Sequence, residues 1–169
     1  MDRVDKILVP VDFSNDSAEA LNSAVSLARK TQAEVTVMHV AQKKEADAFL
    51  NFIAVMEGHP TLYQRPGIPV DRLLRERALD LYRFIETVVR NPGQLRINRK
   101  VELGNPAEKI FGVVAEERID LVVLARKRRS VFSYLTTHGK LSRIISRCPC
   151  PVLLTPFSET PGDISVIRL

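Results

Sequence analysis

Five short segments rich in branched apolar residues recur along this chain, separated by stretches with helical spacing, and that alternation admits few folds. Lys6-Ile-Leu-Val-Pro-Val-Asp12 is a nearly continuous apolar run ending in an acid. Such runs read as strands of a parallel sheet, buried on both faces. Glu34–Val40, Asp120–Ala125 and Pro151–Thr155 read the same way. Leu95 to Leu103 places Leu95, Ile97, Val101 and Leu103 at odd positions, the period of a half-buried strand. Strand and helix alternate throughout, which implies an α/β fold with a doubly wound, five-stranded parallel sheet.

The helical stretches are marked by caps and stripes. Ser14 offers an N-cap oxygen, and Ser17, Ala20, Leu21, Ala24, Leu27 and Ala28 fall on one face up to about Thr31. Lys43 to Met56 carries Ala46, Phe49, Leu50, Ile53 and Met56 in an amphipathic pattern. Residues 58–69 hold three prolines and two glycines and read as a loop. A helix from Asp71 to Val89 is predicted with a buried stripe of Leu74, Ala78, Leu81, Phe84, Ile85 and Val88, stopped by Asn91-Pro-Gly93. Gly104-Asn-Pro-Ala-Glu108 is a helix start, with Asn105 as N-cap, Pro106 in the first turn and Glu108 reaching back. Ile110, Phe111, Val114 and Ala115 are expected to face inward. A last helix is predicted from His138 to Arg147 through Leu141, Ile144 and Ile145.

The 169 residues suit one domain, expected over 1–157 with a C-terminal extension at 158–169. The N-terminus lacks an apolar signal core and no apolar run approaches a membrane span, so a cytoplasmic protein with no membrane partner is expected. A net charge of +5 favours anionic partners mildly. Cys148 and Cys150 lack a second metal-ligand pair and lack CxxC spacing, which reads as two ordinary semi-buried thiols. No metal site is expected.

Chemistry is concentrated where strand four ends. Ala125 runs directly into Arg126-Lys-Arg-Arg129, and the next glycine is Gly139. Three readings stay open for this run. It is a solvated loop, an anion site built from arginine forks, or a nucleic-acid contact. The last is disfavoured because stacking aromatics and a nucleic-acid motif are missing. Thr136, Thr137 and His138 precede a helix whose first amides are anion donors. Asp12 ends a strand at the carboxyl edge, where ligands sit in open α/β sheets; it also suits capping the helix that begins at Ser14. His39 reads as a satisfied core histidine. Catalytic strings are missing: there is no Gly-x-Ser-x-Gly elbow, no paired histidines at metal spacing and no Lys-Ser/Thr phosphate loop.

The chain resembles the universal stress proteins over nearly its whole length. The carriers are Ile7-Leu-Val-Pro-Val-Asp-Phe-Ser14, the strand ending His39-Val40, Gly104-Asn-Pro106, Asp120-Leu-Val-Val-Leu124 and Ser146-Arg-Cys-Pro-Cys-Pro-Val-Leu153. The resemblance implies a Rossmann-like, adenine nucleotide alpha hydrolase-like sheet of order 3-2-1-4-5 and a homodimer paired through the last strand. Many members bind ATP through a Gly-x-x-Gly, nine residues, then Gly-Ser or Gly-Thr. Counted back from Cys150-Pro151, those positions fall on Ala125, Arg128, His138 and Gly139, and no family glycine position holds glycine. Sliding by one residue matches Gly139 alone. Asp12 matches a nucleotide-contacting position, and Pro10 and Val40 match apolar positions around the base. The implied function is a non-enzymatic stress-response or regulatory protein with weak or absent ATP binding. The alternative is a nucleotide- or anion-binding module using Arg126, Arg128 and the helix start after Thr137. ATP or AMP with Mg is the cofactor the resemblance implies, where one is bound.

Overall fold

A computed structural model describes residues 3–57, 68–125 and 140–155. Five strands form one parallel sheet: β1 (Lys6–Val11), β2 (Glu34–Ala41), β3 (Ile97–Leu103), β4 (Leu121–Ala125) and β5 (Val152–Thr155). Their order is β3-β2-β1-β4-β5, as expected. The helices are α1 (Asn15–Thr31), α2 (Lys43–Glu57), α3 (Ile68–Val88), α4 (Pro106–Glu117) and α5 (Lys140–Arg147).

Side-chain alternation along β1 divides the core in two. Ile7, Val9 and Val11 join α1 and α3 on one face, through Ala20, Leu21, Ala24, Leu81, Ile85 and Val89. Leu8 points to the other face, with Met38, Val122, Ile110, Val114 and Ile144, under α4 and α5. The sheet is therefore covered on both sides, which is why β1, β2 and β4 read as unbroken apolar runs rather than alternating ones. β3, at the edge, packs on the core through Ile97, Val101 and Leu103, but its burial does not alternate: the consecutive Asn98 and Arg99 are both exposed.

Three helix faces differ from the sequence reading. The stripe of α3 keeps Leu81, Phe84, Ile85 and Val88 as read, in or against the core, but its first turns pack through Leu73 instead; Ala78 is exposed and Leu74 only half-buried. Arg77 holds an apolar-stripe position, and its charge is met by Glu45 at 3.4 Å and Asp80 at 2.7 Å. On α4, Val113 is buried and Ala115 exposed, because the helix presents its 110, 113 and 114 positions to the sheet. On α2, Ala46 is buried and Phe49 packs with it beside Leu73 of α3, but Met56 is 70% exposed.

The start of α4 has the cap and proline that were read from the sequence, while α3 begins at Ile68 rather than Asp71. The Asn105 side chain accepts the Ala107 amide at 3.0 Å, with Pro106 in the first turn. Gly104, just before it, has φ +142° and donates its amide to the Ala41 carbonyl at 2.9 Å. That φ is open to glycine but strained for any L side chain. An alanine Cβ there would also press on the Lys109 side chain at 3.2 Å. Gly104→Ala is expected to cost about 1–3 kcal/mol, read as a lower thermal midpoint. An unchanged midpoint would contradict the assigned backbone.

Candidate functional site

At the carboxyl end of the sheet, β1 hands over to α1 through Asp12-Phe-Ser14. Ser14 is the N-cap: its hydroxyl accepts the Ser17 amide at 3.2 Å. Asp12 braces that cap rather than making it. Its Oδ1 accepts the Ser14 amide at 3.2 Å and also the Ser14 hydroxyl. The Asp12 amide in turn donates to the Ser17 hydroxyl at 3.4 Å. The capping reading of Asp12 thus holds through Ser14, and the carboxylate stays half-buried at the sheet edge.

Phe13, between them, has φ +65°, a left-handed conformation that costs a non-glycine residue roughly 1–2 kcal/mol. Its ring offsets this by stacking on His39 at 4.3 Å and meeting Phe84 edge-on at 5.7 Å. No residue-type signal announced Phe13; a bulky aromatic is a poor candidate for positive φ.

His39 is buried, and its Nδ1 donates to the Val11 carbonyl at 2.9 Å. The core-histidine reading is met on this side only. Among the described residues the buried Nε2 has no hydrogen-bond partner. Burial lowers the His39 pKa below 6.5, against the raising effects of the Val11 carbonyl, Glu45 and Asp12 and in concert with Arg77. The unfolded chain therefore takes up a proton below about pH 6.5 that the folded ring resists. The stability linked to neutral His39 is complete above that pH and is lost as pH falls toward the lowered folded value. His39→Gln should flatten this part of the thermal midpoint profile between about pH 7 and 5. Equal slopes in the two proteins would refute the assignment.

Register places Pro10 beside Met38 and Val11 beside His39, so Pro10, Asp12 and Val40 come together at the ends of the two central strands. All three are half-buried, accessible from the carboxyl edge. Pro10 follows Leu8 by two positions, and Val40 packs against the cluster under α4 and α5, so both belong to that face. Ala125 ends β4 opposite Thr155, half-buried, and packs toward the α1 and α3 face. Arg126, Arg128, Thr137, His138 and Gly139 lie outside the described residues, as does the start of the predicted helix at His138; α5 is described from Lys140. No cluster of three or more His, Cys, Asp or Glu suited to a metal occurs among the described residues. An open groove of about 970 Å³ lies at the opposite, amino end of the strands, lined by Arg3, Lys6, Arg29, Glu34, Asn91 and Arg96. Among the described residues singled out for ligand contact, Pro10, Asp12, Val40 and Ala125, none lines it. No described helix is long and apolar enough to cross a membrane.

Comparison with known proteins agrees with this architecture. The universal stress protein family model matches residues 3–156. Universal stress protein YxiE of Bacillus subtilis (strain 168) is 25% identical over 155 residues, covering 88% of this chain and 97% of that protein. A crystal structure from the universal stress protein family of Burkholderia pseudomallei superposes with a TM-score of 0.62 at 21% identity, over 93% of this chain and 99% of that one. A universal stress protein in complex with cAMP superposes with a TM-score of 0.58 at 16% identity, over 91% of this chain and 98% of that one. With its sheet order, its braced Asp12-Phe-Ser14 turn and a family match over nearly its whole length, the chain belongs to the universal stress protein family.

Proposed function

We propose that this chain is a non-enzymatic, cytoplasmic stress-response regulator that captures nucleoside triphosphate weakly or not at all. The observation that carries the reading is the exit of β4. Ala125 is followed by Arg126-Lys-Arg-Arg129, with no glycine before Gly139. Glycines at a strand exit let backbone amides approach phosphate oxygens closely, and side chains there occupy that space. The edge to which the family resemblance assigns adenosine carries Pro10, Asp12 and Val40 together. Isothermal titration with ATP and Mg²⁺ is expected to give no binding in the low micromolar range. A low-micromolar dissociation constant refutes the reading.

A second reading draws on Arg126 and Arg128 as forks for an anion, beside the helix start after Thr137. The net charge of +5 and the cAMP complex of a structural relative favour it. Arg128→Glu should then abolish the thermal stabilisation given by cAMP or AMP. Absence of stabilisation in the unmutated protein rejects this reading.

We further propose a homodimer paired through β5. It is an edge strand of four residues, and an unpaired edge is a template for a second copy. Light scattering should give twice the chain mass of 19.0 kDa. A monomer at micromolar concentration refutes this.

A further inference from the structure

Between α5 and β5 the chain reads Arg147-Cys-Pro-Cys-Pro151. The sulfurs of Cys148 and Cys150 lie 3.7 Å apart, within thiol hydrogen-bond reach, and both cysteines are free and half-buried. The backbone is fixed on either side of the pair. The Cys148 amide donates to Ile144 at 2.9 Å in the last turn of α5. The Pro151 carbonyl accepts the Val122 amide at 3.0 Å, which starts the ladder between β4 and β5. Pro149 and Pro151 restrict φ within the turn. The two thiols are thus held together by elements that already have other partners, and little chain freedom remains to separate them.

The pair is also electronically unequal. The Cys150 thiol, and to a lesser degree the Cys150 amide, hydrogen-bonds the Cys148 sulfur and holds the Cys148 thiol down to about 7, although burial pushes it up. The Cys150 thiol is pushed up, first by its bond to Cys148, then by burial, and further by the negative charges of Cys148 and Asp120. One sulfur is therefore a ready thiolate and the other a retained thiol, the division of labour of an attacking and a resolving cysteine.

We propose that Cys148 and Cys150 form a reversible redox pair that peroxide closes to a disulfide. The Cys148 thiolate attacks one peroxide oxygen, the O–O bond breaks and hydroxide leaves, giving Cys148 sulfenic acid. The Cys150 sulfur then attacks the Cys148 sulfur; the S–O bond breaks, and the oxygen departs as water with the Cys150 proton. The two thiols together lose two electrons, and the peroxide oxygens gain them. The S–S separation falls from 3.7 Å to about 2 Å, tying the end of α5 to the start of edge strand β5. A loop this short adds little chain-entropy stabilisation, so common thiols reopen it. Transient disulfides of this kind are the form in which they persist in a reducing compartment.

The test uses the full reduced chain with a few equivalents of hydrogen peroxide, then alkylation under denaturing conditions and intact-mass measurement. Alkylatable thiols should fall from two to none, in a monomeric chain two hydrogens lighter, and dithiothreitol should restore both. Cys150→Ser should accumulate a Cys148 sulfenic acid that dimedone captures. Cys148→Ser should react with peroxide about tenfold more slowly at neutral pH, because an ordinary thiol is mostly protonated there. Two alkylatable thiols after peroxide, a disulfide only between chains, or undiminished reaction of Cys148→Ser would each overturn the proposal.

Discussion

Replacing Leu8 with alanine is expected to lower the stability of this protein by about 2–5 kcal/mol, a fall in thermal midpoint of about 10 °C for a domain of this size. Leu8 has no exposed surface and sits in β1, the central strand of the sheet. It joins the core cluster of Met38, Ile110, Val122, Leu124, Ile144 and Leu154, in which five other elements take part. The cavity left by its side chain is walled by β2 and β4, each hydrogen-bonded to β1 at fixed register, so neither strand can collapse into it. Leu79→Ala is the matched control. Leu79 lies on the outer side of α3 and is 51% exposed. Its truncation should stay within about 0.5 kcal/mol. Equal losses at the two positions would mean that β1 is not the centre of the sheet.

The contrast between Leu8 and Leu79 also shows how far the sequence could be read. Buried parallel strands announce themselves because both faces are covered, and β1, β2 and β4 were visible as apolar runs for that reason. Caps were visible because Ser14 and Asn105 act on amides two or three residues away. The first turns of α3 were misread because Arg77 lies between Leu73 and Leu81 on the packed side; a charge there looks like solvent, and its pairing with Glu45 of α2 and with Asp80 one turn on explains it. The turn at Phe13 was invisible because its positive φ is held by rings distant in sequence, His39 and Phe84. At the candidate site, Asp12 was legible as a strand-end acid, whereas Pro10 and Val40 entered only through the family resemblance; the register of β1 and β2 brings the three to one edge. The partner of Asp12 was not legible, since a carboxylate two residues before a serine suits either a ligand or a brace. The closeness of Cys148 and Cys150 was likewise hidden, because one intervening proline leaves the relative direction of two side chains to the flanking helix and strand.

Restoring the family glycines should raise affinity for ATP with Mg²⁺ by at least tenfold in the double variant Ala125→Gly, Arg128→Gly. The two positions are those that the family spacing assigns to the first pair of loop glycines. Glycine at these positions removes side-chain bulk from where backbone amides would approach phosphate, and each 1.4 kcal/mol recovered is about a tenfold gain in affinity. The variant also removes one cation, so the two readings of this loop diverge. Where backbone amides are to capture phosphate, loss of Arg128 matters less than recovered access, and affinity rises. Where arginine forks capture the anion, the same variant loses a charge-assisted contact and affinity falls. The fold should persist in either case. Ala125 is half-buried at the last position of β4, and glycine at a strand end costs about 0.5–1 kcal/mol. Titration calorimetry of the double variant beside the unmutated chain, with thermal midpoints to confirm folding, separates the outcomes. An unchanged dissociation constant would mean that the missing glycines do not set nucleotide affinity in this protein.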